Sequence, residues 1–203
     1  MMRRTMGLAI AALLVPATAS ASSIRIEGFY GLERPPSISF SSAVSGAGSA
    51  SASDLYKTSL QLAGGDVLVN LGGLELGAIV DTTFGNSSPS QTALGGLAGV
   101  GLELGGLKLD LLAEAGGHRF GNFADNPDIV TSSSSSDWLF YVGLRPGITF
   151  NLGGPISLGL WAFVRWDVTS HDLPVTVGSA SSAGTYSLGG TTIGATIRLG
   201  FDL

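Results

Sequence analysis

Cysteine is absent from the 203 residues, which removes disulfides, thiolate metal sites and thiol chemistry at once. Charge is scarce as well: Asp, Glu, Lys and Arg make up 12% of the chain, about half of the roughly 25% usual in soluble domains. What charge there is leans acidic, 15 carboxylates against 10 basic residues. No cluster of Lys and Arg offers a phosphate backbone a partner, so no nucleic acid is expected. Gly-Gly pairs occur without the Lys-Ser/Thr that completes a phosphate loop, and no nucleotide, metal or other cofactor is expected. Beyond residue 21 no apolar run reaches the ~18 residues of a membrane helix. Such a chain crosses a bilayer only as a closed barrel.

Glycine, by contrast, is abundant: 31 residues, about twice its usual share of ~7%. An apolar, glycine-rich chain suits strands and tight turns better than helices. Residues 1–21 read as a secretory signal, with Arg3 and Arg4 ahead of "MGLAIAALLV" and a small-residue cleavage site at Ala19-Ser20-Ala21. The mature chain, 22–203, is then expected to be one barrel domain.

A repeated turn organises that domain. "VNLGGLELGAIVD" (69–81) returns as "LELGGLKLDLLAE" (102–114) and "FNLGGPISLGLWA" (150–162). In each, an alternating segment runs into Leu-Gly-Gly and another runs out, which describes a β-hairpin, because Gly-Gly supplies the positive φ of a two-residue turn. Three hairpins make six strands, and "SIRIEGFYGL" and "TTIGATIRLGFDL" add one at each end. The predicted strands are approximately 23–33, 55–71, 74–84, 92–104, 107–120, 137–152, 155–168 and 186–203. The stretches between hairpins (33–53, 85–91, 121–136 and 169–185) are long and rich in Ser, Gly, Asn and Pro. Short periplasmic turns opposite longer extracellular loops characterise transmembrane barrels. The predicted fold is therefore an all-β, eight-stranded antiparallel up-and-down transmembrane β-barrel with three short periplasmic turns and four longer extracellular loops.

Each strand has one apolar face and one face mixing glycine, charge and an aromatic. On 137–152, Trp138, Phe140, Val142, Leu144, Ile148 and Phe150 alternate with Tyr141, Gly143, Arg145, Gly147 and Thr149. A soluble barrel would put Gly143, Gly147, Gly159, Trp161 and Phe163 on a wet surface, a poor use of glycine and aromatics. Turned the other way, glycines opposite large residues pack the narrow interior of an eight-stranded barrel. On the apolar faces Tyr30, Tyr56, Phe84, Trp138, Phe140 and Trp166 fall near the loop ends and Phe150 and Phe201 near the turn ends. Two such bands match the aromatic girdles of the membrane interfaces. Parity breaks twice: Tyr56, Leu60 and Leu62 are apolar at even positions while Val67, Val69 and Leu71 are apolar at odd ones, and β-bulges at Gly64-Gly65 and Gly189-Gly190 are predicted to restore one continuous outward face. A third bulge is predicted at Pro146, which cannot donate to a ladder.

With these features the chain resembles the small eight-stranded outer-membrane proteins: the OmpA transmembrane domain, OmpX and the opacity-type surface proteins. The resemblance covers 22–203 and rests on architecture. It implies outer-membrane lipid and lipopolysaccharide as surroundings. It also implies recognition by the outer-membrane assembly machinery through the closing strand, where Ile197, Leu199 and Phe201 alternate, although Leu203 stands where the class carries an aromatic. A wall-binding domain after the barrel is not expected.

Charges on the inner face must be paired. Glu114 with Arg145, and Glu27 with Arg198 across the closure, fall at matching heights, with Arg25, Asp110 and Arg165 nearby. They are expected to lock the lumen shut, and the loops to act in surface interaction. Two rival readings are a low-conductance channel and a lipid A-modifying enzyme, a class that uses His with Ser and an acid. His118 points inward and His171 lies between Ser170 and Asp172, but in a serine-rich chain such neighbours arise by chance, and no catalytic residue is assigned. "DNPD" (125–128) reads as a turn rather than a metal site.

Overall fold

The computed structural model describes residues 22–34, 36, 39–42, 59–84, 90–121, 129–131, 138–177 and 182–203. In chain order the strands are β1 (Ser23–Arg34), β2 (Ser39–Ser42), β3 (Leu60–Leu71), β4 (Leu74–Phe84), β5 (Ser90–Leu104) and β6 (Leu107–Gly121). They continue as β7 (Ile129–Thr131), β8 (Trp138–Gly153), β9 (Ile156–Asp167), β10 (His171–Val177), β11 (Ser182–Leu188) and β12 (Thr191–Asp202).

Eight of these close an antiparallel barrel in the order β1-β12-β9-β8-β6-β5-β4-β3. Neighbours in the ring are neighbours in sequence, so the path is up-and-down, and the first and last strands seal it. At the seam Leu203 N donates to Ile24 O at 2.8 Å and Ile24 N to Leu203 O at 3.3 Å. The remaining four strands form a second sheet, β2-β11-β10-β7, at the loop end. Segments predicted as loops, 33–53, 121–136 and 169–185, thus contribute strands that pair with one another.

Glycine sets the tight turns. Gly72 and Gly73 take φ of 68° and 96°, Gly105 takes 67°, and Gly153 and Gly154 take 102° and 61°. Asn70 Oδ1 accepts the Gly73 amide at 3.0 Å. The third turn sits one residue later than its Gly-Gly pair suggests. β8 runs through Gly153, and a register shift between Asn151 and Gly153 absorbs the extra residue. A Cβ on Gly72 would meet nothing within 4 Å, so Gly72→Val tests backbone conformation alone. The left-handed region costs an L residue about 1–2 kcal/mol, and the urea midpoint of the micelle-bound barrel is expected to fall accordingly.

The apolar face points outward on every barrel strand. Ile26, Val80, Leu111, Leu144, Leu160 and Ile197 are all exposed, whereas Arg145, Arg165 and Arg198 are fully buried. An exposed apolar belt around the whole wall far exceeds the few hundred Å² tolerated in water. Strands of 11 to 16 residues exceed the ~9–11 residues that a tilted strand needs to cross hydrocarbon.

Three predicted irregularities are corrected. The ladder through Gly64 and Gly65 is uninterrupted on both sides. Leu60 and Leu62 therefore face the lumen and are buried, because the interior has its own apolar layer and needs no bulge to expel them. At Gly189-Gly190 there is a break between two sheets, not a bulge: φ values of 122° and 145° end β11 at Leu188 and let β12 start at Thr191. Residues 186–188, predicted as part of the last barrel strand, belong to the second sheet. Pro146 keeps register. It stays opposite Leu111 on β6, and on the β9 side pairing lapses at Arg145 and Pro146 and resumes at Gly147↔Trp161 without a shift.

Candidate functional site: the charged lumen

The inward positions carry two charge clusters separated along the strands by apolar side chains. Leu112 lies between Asp110 and Glu114 on β6, Ile79 between Glu75 and Asp81 on β4, and Phe29 between Glu27 and Glu33 on β1; all are buried. These positions follow from alternation alone: each is inward because its neighbours face hydrocarbon.

The cluster nearer the loops centres on Glu114. Its carboxylate accepts Arg145 Nη2 at 2.8 Å and Nε at 3.0 Å, Arg165 Nη2 at 2.9 Å and Nε at 3.1 Å, and the Tyr141 hydroxyl at 2.6 Å. Asp81 takes the far side of Arg165, with Nη1 at 3.1 Å and Nη2 closer. The Phe163 ring lies 4.7 Å from the Arg145 guanidinium and 4.8 Å from that of Arg165. Two carboxylates, two guanidiniums and an aromatic face fill this cross-section. Such pairs hold buried charge because each guanidinium offers a planar fork to more than one acceptor.

The cluster nearer the turns centres on Arg198. Nη1 donates to Glu27 Oε2 at 2.8 Å and to Asp66, and the guanidinium stacks on Trp161 at 4.3 Å and Phe29 at 4.7 Å. Below it, Lys108 Nζ binds Glu75 and lies 3.5 Å from Asp110 Oδ1. Arg25 Nε binds Asp202 at 2.9 Å, while its Nη1 lies 3.9 Å from both Glu27 and Asp110. A polar vestibule of about 230 Å³, lined by Arg25, Lys108, Thr149, Ser157 and Asp202, opens at the turn end.

The architecture has known counterparts. The chain superposes on the outer membrane protein OprG from Pseudomonas aeruginosa with a TM-score of 0.56 at 10% identity, covering 90% of this chain and 96% of that one. Its fold is the small eight-stranded outer-membrane barrel. Two further structures are similar over most of their length. Neisserial surface protein A gives a TM-score of 0.49 at 11% identity, covering 88% of this chain and 96% of that one. The N-terminal β-barrel domain of Pseudomonas aeruginosa OprF gives 0.48 at 13%, covering 89% and 97%. No protein-family model matches the sequence, and no curated protein matches it either.

Within this barrel, Glu114 meets Arg145 and Glu27 meets Arg198, with Arg165 on Glu114 and Asp110 beside Lys108 and Arg25. The sequence reading omitted Asp66, Glu75, Asp81 and Lys108. Strict parity would have placed all four: Glu75, Asp81 and Lys108 on β4 and β6, and Asp66 beside the outward Val67 whether or not a bulge precedes it. Of the aromatics, Tyr30, Phe84, Trp138, Phe140, Trp166, Phe150 and Phe201 are exposed on the outer wall; Tyr56 lies outside the described residues.

The histidines part company. His118 is buried, with Nδ1 3.4 Å from Asp167 Oδ1 and its ring against Phe120 and Tyr141. His171 opens β10, exposed and opposite Leu188, while Asp172 accepts its bond from Ser187 Oγ at 2.6 Å rather than from Ser170. Among the described residues no group of three or more His, Asp or Glu converges as a metal site; residues 125–128 lie outside them.

Proposed function

We propose that the chain is an integral outer-membrane barrel whose bore is closed by its own ion pairs and whose loops serve as the surface that meets the environment. The observation that carries the reading is the burial of Arg145, Arg165 and Arg198, at 0–1% exposure, each bonded inside the bore to at least one carboxylate on another strand, with Arg165 reaching Asp81 on the opposite wall. A conducting pore leaves its charged side chains wet. The apolar outer wall and the fold support the outer-membrane address, and pairing among β2, β11, β10 and β7 supports loops that act as one surface. Lipid, lipopolysaccharide and the assembly machinery are the partners this address brings.

The vestibule at the turn end favours a second reading, a low-conductance channel. Planar bilayers separate the two. The closed barrel is expected to add no unitary current, and steady openings from the wild-type protein would overturn the plug. The address is checked by the outer-membrane fraction, where the barrel is expected to change mobility on boiling. For the enzyme alternative, lipid A from cells with and without the gene is expected to give the same mass spectrum.

A further inference from the structure

From the turn end upward, the outer wall of the eight barrel strands carries no charged side chain until the last positions before the loops. There it carries two, Arg34 at the end of β1 and Arg119 near the end of β6, both basic and both exposed. An outward arginine costs about 2–4 kcal/mol at the bilayer midplane and about 0–1 near the interface, so these guanidiniums sit at headgroup depth.

Arg119 belongs to a row that strand register builds. Thr82 on β4 pairs directly with Thr92 on β5, Thr92 with Arg119 on β6, and Arg119 with Trp138 on β8. Directly opposed residues stand about 4.5–5.5 Å apart, which makes the row roughly 15 Å long. The two threonine hydroxyls lie 3.0 Å from each other. At the other end the six-membered ring of the Trp138 indole lies over Gly117, one outward position below Arg119, which leaves room for it. A Cβ there would come within 2.7 and 3.2 Å of the ring. The indole remains 48% exposed. Arg119 pairs with no carboxylate among the described residues, whereas Arg25, Lys108, Arg145, Arg165 and Arg198 all do.

We propose that Thr82, Thr92, Arg119 and Trp138 form a binding site for the phosphorylated sugar headgroup of an outer-leaflet glycolipid. The guanidinium fork matches phosphate oxygens, the hydroxyls match sugar hydroxyls, and the electron-rich indole face takes the C–H face of a pyranose. Acyl chains then follow the apolar wall below. This rests on the outer-membrane reading and gives its glycolipid partner a defined site. Arg34 is the internal control: its direct partner on β12 is Ile193, which offers neither a hydroxyl nor a ring.

The test uses the full barrel in detergent, titrated with bisphosphorylated lipid A, dephosphorylated lipid A and phosphatidylglycerol, with bound lipid counted by native mass spectrometry. Bisphosphorylated lipid A is expected to bind about tenfold more tightly than the dephosphorylated form, the worth of one charge-assisted pair. Arg119→Gln is expected to erase that preference, Arg119→Lys to keep part of it, and Trp138→Leu to weaken both forms. Arg34→Gln is expected to change it by less than about twofold, as for an exposed charge without a built site. Unchanged discrimination in Arg119→Gln, or equal affinity for phosphatidylglycerol, would overturn the site. A barrel that shifts on boiling and fractionates with the outer membrane, yet shows no lipid A preference, sinks this inference alone. A chain missing from that fraction sinks the address.

Discussion

Arg198→Met is expected to destabilise the barrel by about 3–5 kcal/mol, the cost of leaving buried charge without its partner. The arginine is fully buried, and Glu27 and Asp66, opposite each other on β1 and β3, both bind its Nη1. Without it two carboxylates face each other in a space that water reaches poorly, and the guanidinium's contacts with Phe29 and Trp161 go as well. Urea unfolding in micelles, followed by tryptophan emission, reads the effect. A triple variant discriminates cause from packing: Arg198→Met with Glu27→Gln and Asp66→Asn removes the whole charge set and is expected to recover most of the loss. If the triple variant is no more stable than the single one, the ion cluster is not what holds this section together.

Gly147→Val is expected to cost about 3 kcal/mol, at the upper end for overpacking a filled interior. The position is inward on β8 and directly opposite Trp161 on β9, and a Cβ there would come within 2.2–2.5 Å of three carbons of the indole. Trp161 has little room to give way, because the Arg198 guanidinium covers its face. The measurement is the temperature at which the compact gel band is lost, together with the near-ultraviolet dichroism of the tryptophans. Trp161→Leu in the same chain is expected to restore much of the stability, since it vacates the space that the valine fills. A single variant as stable as wild type would mean that the interior is looser than its burial indicates.

The two clusters also explain how far the site was legible in the sequence. Glu114 with Arg145 and Glu27 with Arg198 were readable because they lie on neighbouring strands, where height is counted from a turn or from the closure. Asp81 bonds Arg165 from β4 to β9, strands that face each other across the bore. No local count relates them, because only closure of the sheet brings opposite walls within reach. Leu60 and Leu62 misled for a related reason. An apolar residue was assigned to hydrocarbon, but a narrow lumen also takes leucine wherever glycine or a ring opposes it.

The polar row on the outer wall was invisible in the same way. Thr82, Thr92, Arg119 and Trp138 sit on four strands, and only the register of three ladders shows that they are level. The second sheet is a stronger case. Its short strands lie within segments rich in Ser, Gly, Asn and Pro, whose composition reads as loop, and they become strands because the barrel holds their ends close enough to pair.

Alternation and glycine placement, both local properties of the chain, determined the eight crossing strands, the three tight turns and the outward direction of the apolar face. A period of two needs no partner to be read, and positive φ at Gly72 or Gly154 is a property of the turn itself. Which charges meet across the bore, where β12 begins, how the loop segments pair and what stands beside Arg119 were decided only by the closed tertiary structure. Those contacts join residues far apart in sequence, and ring closure, shear and register have no counterpart in any single stretch of the chain.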